Sequence, residues 1–138
     1  MRQFISPARR ILRLAFFVTS IWALAAHAEV TASDTNSIQA ISATPDAGGK
    51  IVLKVSMKNA LVNQPAAFTI NTPPRIAFDF PNTANDLGKS RQEFGEGDLR
   101  GVNIVQAGNR TRLVINLNQM LAYDSRLDGN DVLITIQG

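Results

Sequence analysis

Cysteine is absent from all 138 residues, and the single histidine and single tryptophan, His27 and Trp22, both fall within the first 28. Once those residues are removed on export, the chain has neither thiol nor imidazole. Nucleophilic cysteine chemistry, histidine general-base catalysis and zinc sites built from Cys and His are then excluded. An exported chain is free to use disulfides, so stability rests on an apolar core and on strand ladders alone. Long apolar runs are also missing. The run from Leu14 to Ala25 falls short of the roughly 20 residues that a spanning helix needs. No sequence repeat of about 20 to 50 residues is present either.

The first 28 residues read as a secretory signal peptide. Arg2, Arg9, Arg10 and Arg13 make a basic start, the apolar run follows, and Ala26-His27-Ala28 puts small residues at both specificity positions before Glu29. Cleavage between Ala28 and Glu29 leaves 110 residues with 10 basic against 11 acidic side chains, a net charge of −1. The pI near 9.8 of the whole chain therefore belongs to the signal segment. A near-neutral remainder lacks the basic surface that nucleic acid requires, so no nucleic-acid partner is expected. The length suits one domain with one core. The expected division is signal peptide 1–28, a polar flexible leader 29–36 and one domain 37–138, with no transmembrane span after cleavage and no cofactor.

Period-two alternation dominates that domain. Ile51, Leu53, Val55 and Met57 alternate with Val52, Lys54 and Ser56, so one row is inward and the lysine-bearing row outward. Between prolines, Pro74 to Pro81, Ile76, Phe78 and Phe80 form a core row, and Arg75, Ala77 and Asp79 face away from it. The prolines at both ends are expected to stop pairing there, and the consecutive Pro73-Pro74 to fix a crossing direction. Ile38 and Ile41 sit at odd spacing and suggest a bulged first strand. Phe68 and Ile70 alternate in a third strand, and Val102 with Ile104, then Leu113, Ile115 and Leu117, form two further strands around a Gly108-Asn109 turn. Residues 122–127 and 132–136 close a hairpin through Asp128-Gly129-Asn130. The segment from Pro81 to Glu96 reads either as a surface excursion with a helical turn near Ala84–Leu87 or as a hidden strand near Arg91–Phe94. Seven or eight short strands, without a convincing helix, predict an all-β antiparallel sandwich of two small sheets.

Paired carboxylates are the only catalytic equipment left. Glu93, Glu96 and Asp98 lie in a glycine-rich turn that supplies neither the rigidity nor the burial that acid–base catalysis needs, so no enzyme activity and no catalytic or metal-ligating residue is expected. Arginines are the better binding candidates, because a guanidinium fork pairs with carboxylates through two bonds. Arg75, Arg100, Arg110, Arg112 and Arg126 recur at strand starts or on outward faces, and Asp79 accompanies Arg75. Arg75 and Asp79, four residues apart on one face, either pair with each other or look outward to a ligand.

Pro74-Arg75-Ile76-Ala77-Phe78-Asp79-Phe80-Pro81-Asn82 resembles the proline, arginine, alternating-apolar, aspartate segment of the AMIN domain family, and Leu99-Arg100 through Leu117 resembles its second signature. Arg112-Leu113-Val114-Ile115-Asn116-Leu117 supplies the arginine followed by Leu-Val-Ile-x-Leu, with Asn116 where an aspartate is common. The resemblance covers roughly Asn36 to Gln137. Within the family, Phe68–Asn71, Phe80–Asn85 and Val105–Arg112 look most like the first such domain of type IV pilus secretins. That implies a non-catalytic periplasmic β-sandwich that binds peptidoglycan, with other type IV pilus assembly proteins as further partners and an outer-membrane association through the secretin. Arg75, Asp79, Arg100, Arg110, Arg112 and Arg126 are the residues implied for peptidoglycan. No secretin-forming region follows, so the chain is expected to be a fragment or a freestanding domain. An N-acetylmuramoyl-L-alanine amidase is the alternative host, and a protein-binding module for another pilus component is the third reading.

Overall fold

The computed structural model describes residues 35–138; the expected signal peptide, its cleavage site at Ala26, Ala28 and Glu29, and the leader up to Asp34 lie outside the described residues. Ten strands follow in order: β1 Asn36–Pro45, β2 Ile51–Met57, β3 Ala66–Asn71, β4 Pro74–Phe80, β5 Thr83–Asn85, β6 Arg91–Glu96, β7 Leu99–Ala107, β8 Arg110–Leu117, β9 Tyr123–Asp128 and β10 Asp131–Ile136. They form two five-stranded sheets, β5-β1-β2-β10-β9 (sheet A) and β3-β4-β8-β7-β6 (sheet B). The expected sandwich is present, with ten strands where the alternation suggests seven or eight. One pairing departs from the antiparallel rule, since β5 runs parallel to β1.

Alternation explains the core. Sheet A contributes Ile51, Leu53, Val55 and Met57 from β2 and Val132, Ile134 and Ile136 from β10. Sheet B contributes Ile76, Phe78 and Phe80 from β4, Leu113, Ile115 and Leu117 from β8, and Val102 and Ile104 from β7. Each such side chain stabilises the fold by roughly 1.5–3 kcal/mol relative to an exposed one. The Phe78 ring meets Tyr123 edge-on at 5.8 Å, which joins the two sheets.

Two irregularities reconcile the sequence with this core. The β1–β2 register shifts between Ile38 and Ala40, so both odd-spaced isoleucines are buried. The β7–β8 register shifts between Leu99 and Gly101, which buries both Leu99 and Val102. The hidden strand at Arg91–Phe94 is real and extends to Glu96, whereas Ala84–Leu87 forms no helical turn.

The paired prolines fix no crossing. β3 and β4 are successive strands of a hairpin, and their ladder runs from Ala66 opposite Asp79 to Asn71 opposite Pro74, across a cis Thr72–Pro73 bond. A proline is tolerated there because it ends the ladder. Phe68 and Ile70 fall on the outer face of sheet B, in register with Ala77 and Arg75.

Candidate functional site

The register of sheet B sets three rows on its outer face. Ala66, Asp79, Arg112 and Val105 form the first, and Phe68, Ala77, Val114, Asn103 and Arg91 the second. Ile70, Arg75, Asn116, Gly101 and Glu93 form the third. Directly opposed residues in neighbouring strands are close enough to interact, so charges that are distant in sequence meet along these rows.

In the first row, Arg112 donates from Nε to Asp79 Oδ1 at 2.6 Å and from Nη2 to Asp79 Oδ2 at 2.9 Å. The same guanidinium lies 4.9 Å from the centre of the Phe68 ring. The Arg112 hydrogen bonds hold the Asp79 carboxyl below the usual aspartate range, opposed by partial desolvation and aided by the charges of Arg112 and Arg110. The same pairing raises Arg112 above its ordinary value. Asp79 therefore pairs across the sheet and not with Arg75. Along a strand, four residues span about 13 Å at 3.3 Å per residue, whereas Arg112 stands directly opposite Asp79 on the neighbouring strand.

The third row holds the more open chemistry. Arg75, Arg91, Arg100, Gly101, Asn103 and Asn116, together with Glu93, Leu117 and the Pro73-Pro74 turn, line a hollow of about 210 Å³. Arg75 Nε is buried and has no hydrogen-bond partner among the described residues. A buried donor left in this way costs about 1–3 kcal/mol. Arg91 donates to Glu93 at 2.5 Å, a pair whose side chains are 65% and 64% exposed. Asn116 Nδ2 donates to Asn103 Oδ1 at 2.7 Å, which leaves one amide nitrogen and one amide oxygen to serve a ligand. Three guanidinium groups against one carboxylate make the hollow cationic. Gly101 is required at its floor, because a Cβ there would lie 2.6 Å from the Gln92 carbonyl oxygen.

Among the six residues singled out in the sequence, the structure brings Arg75 and Arg100 together in this hollow. Arg112 and Asp79 satisfy each other, with Arg110 exposed beside them at the start of β8. Arg126 lies apart on β9 of sheet A, opposite Leu133. Arg91 was not singled out; its signal was the Arg91/Glu93 alternation of the hidden strand. The three acids share no turn and do not converge: Glu93 and Glu96 belong to β6, Glu93 is held by Arg91, and Asp98 accepts from Gln119 at 3.1 Å. Among the described residues no group of three or more His, Cys, Asp or Glu side chains is placed to hold a metal, and no helix is long and apolar enough to cross a membrane. A larger groove of about 430 Å³ beside β3, lined by Leu61, Val62, Pro65, Phe80, Pro81 and Arg110 among others, is mainly apolar.

The family model described as AMIN domain matches residues 38–136. The chain is 37% identical over 89 residues to the fimbrial assembly protein PilQ of Pseudomonas aeruginosa, a match covering 64% of this chain and 12% of that protein. It is 35% identical over 85 residues to the type IV pilus biogenesis and competence protein PilQ of Neisseria gonorrhoeae, covering 62% of this chain and 12% of the relative. The same protein of Neisseria meningitidis serogroup B matches at 35% over 85 residues, 62% of this chain and 11% of the relative. The matched region thus spans about an eighth of the length of these relatives. No solved structure matches the chain.

Proposed function

This chain belongs to the AMIN domain family, and from that membership we propose that it is a non-catalytic periplasmic domain that binds peptidoglycan and supports type IV pilus assembly at an outer-membrane secretin. The observation that carries the binding role is the buried Nε of Arg75, without a hydrogen-bond partner among the described residues, in a hollow shared with Arg91 and Arg100. A carboxylate entering the hollow would take the orphaned N–H and accept further charge-assisted bonds from the two flanking guanidinium groups. Peptide stems of the cell wall carry such carboxylates together with amides, which the Asn103 and Asn116 side chains can read. The pilus role is supported by relatives named for fimbrial assembly and for type IV pilus biogenesis. Their names favour a pilus-assembly host over an amidase.

Co-sedimentation with purified sacculi tests this reading. At low salt the protein is expected in the pellet, and Arg75→Ala, Arg91→Ala and Arg100→Ala are each expected to shift it toward the supernatant, while Arg126→Ala leaves it bound. Protein that stays in the supernatant with every sacculus preparation would end the peptidoglycan reading. Binding that is insensitive to all three hollow substitutions would move the site elsewhere.

A further inference from the structure

Four strands end the two sheets, β5 and β9 in sheet A and β3 and β6 in sheet B. Three of them are guarded. β5 is only three residues long, β9 carries Asp124, Arg126 and Asp128, and β6 carries Arg91, Glu93 and Glu96 with a register shift between its two glutamates. Shortness, charge and bulges are the devices that keep an exposed ladder from pairing with another chain. β3 has none of them. Its six residues, Ala66–Asn71, hold no charge and no proline, and its ladder with β4 is regular. Its outward Phe68 remains 39% exposed.

The hydrogen-bond phase of that open edge follows from the register. The Ile104 amide donates to the Ser90 carbonyl at 2.9 Å, away from β8. Backbone groups of an antiparallel strand alternate between its two neighbours, so Leu113, opposite Ile104, turns its groups toward Phe78 of β4. Ala77 and Asp79 therefore bond Phe68 and Ala66. Ala67, Thr69 and Asn71 are left with their N–H and C=O groups directed to solvent at the edge.

We propose that β3 pairs with β3 of a second copy of this chain, antiparallel, about a two-fold axis at Thr69. The segment is complementary to itself in that register. Thr69 meets its own copy as a hydrogen-bonded pair, Ala67 meets Asn71, and Phe68 of each copy lies beside Ile70 of the other on the outer face. Aromatic and β-branched side chains opposed in this way stabilise a sheet, and an uncharged strand sets no like charges against each other. The near-neutral domain adds little long-range repulsion. A six-residue ladder falls in the class of small, transient interfaces, below about 1,200 Å². Directly opposed residues share a face, so the two sheets B join into one surface that carries both arginine hollows on the same side. If the hollows bind peptidoglycan as proposed above, the pair would grip the polymer at two points and gain avidity; the pairing itself does not depend on that reading.

The chain's lack of cysteine makes the test direct, because an introduced thiol is the only one. Purified Thr69→Cys and Arg126→Cys proteins, both verified as folded by circular dichroism, are treated with a short bismaleimide. Cross-linking at position 69 is expected at least about tenfold faster than at position 126, because pairing raises the effective concentration of the thiols. Adding Phe68→Lys to Thr69→Cys should abolish the excess, and unmodified protein should show a concentration-dependent dimer in sedimentation velocity. Equal rates at the two positions, no response to Phe68→Lys, or a monomer up to millimolar concentration would each overturn the pairing. Loss of sacculus binding with pairing intact would count against the peptidoglycan reading alone.

Discussion

Arg112 and Asp79, 33 residues apart in sequence, stand opposite each other on β8 and β4 and share two hydrogen bonds in fork geometry. Planar pairing of this kind stabilises the charged carboxylate, and the Asp79 pKa is accordingly lowered, chiefly by the Arg112 bonds.

The first prediction follows from that shift. A carboxyl whose folded pKa lies below its unfolded value, about 3.9 for aspartate, contributes stability that is present above the unfolded value and is lost as pH falls through the folded one. Asp79→Asn should therefore lower the melting temperature at pH 7, and the difference from the unaltered protein should shrink on acidification below about pH 4. Both residues are partly exposed, so solvent screens the pair and the effect is modest. Thermal melts at neutral and acid pH measure it. A difference that is constant with pH would assign the loss to packing.

Thr111 carries a second prediction. Its side chain is buried, and Oγ1 donates to the Thr83 carbonyl at 2.7 Å, holding β5 against β8. Thr111→Val preserves the shape and leaves that acceptor short of its donor, at a cost of about 1 kcal/mol. Urea denaturation should show the loss, and amide exchange should accelerate at Thr83 to Asn85 more than in β2 or β10. Uniform acceleration would mean that β5 is not held separately.

These two contacts also show what could be read from the sequence and what could not. β2, β4, β8 and β10 are legible because each is buried on one face, and alternation registers one-sided burial directly. β5 is too short to alternate, and the bond that places it joins Thr111 to a residue 28 positions earlier. β6 was legible only as one of two alternatives, since Arg91 and Glu93 on one face and Gln92 with a partly buried Phe94 on the other carry little apolar contrast. For the candidate site, the outward arginines were visible and their grouping was not. Of the two alternatives open for Arg75 and Asp79, the mutual pair gives way because cross-strand neighbours lie much nearer than residues four apart on one strand. Cross-strand register is a tertiary quantity, and it alone separates the satisfied Arg112 from the unsatisfied Arg75.

Gly101 gives a third prediction. A methyl group there would meet the Gln92 carbonyl oxygen at 2.6 Å and the Glu93 Cα at 3.1 Å, both backbone atoms of β6. Neither can rotate aside, so Gly101→Ala must push β6 away from β7. Overpacking of this kind costs about 1–3 kcal/mol, readable as a lower urea midpoint. Because Arg91 rides on β6 and Arg100 on β7, the same change should also weaken sacculus binding. A variant of unchanged stability would show that the two strands yield without strain.

Arg75 separates binding from stability most sharply. Its Nε is buried without a partner among the described residues, which penalises the unliganded fold, while its long stem lines the same hollow as the Pro73-Pro74 turn and Asn116. Arg75→Met keeps much of the stem and removes the unsatisfied donor. The variant is expected to equal or exceed the unaltered protein in melting temperature and to lose sacculus retention. Residues placed for a ligand are commonly retained at some cost to the free fold, so opposite movements of stability and binding are the signature of such a site. Arg112→Met provides the contrast, because it strands the Asp79 carboxylate without its partner and should lower stability. If Arg75→Met instead destabilised the fold as Arg112→Met does, Arg75 would be a structural cation whose partner is supplied by the protein or by water, and the hollow would lose its claim to a ligand.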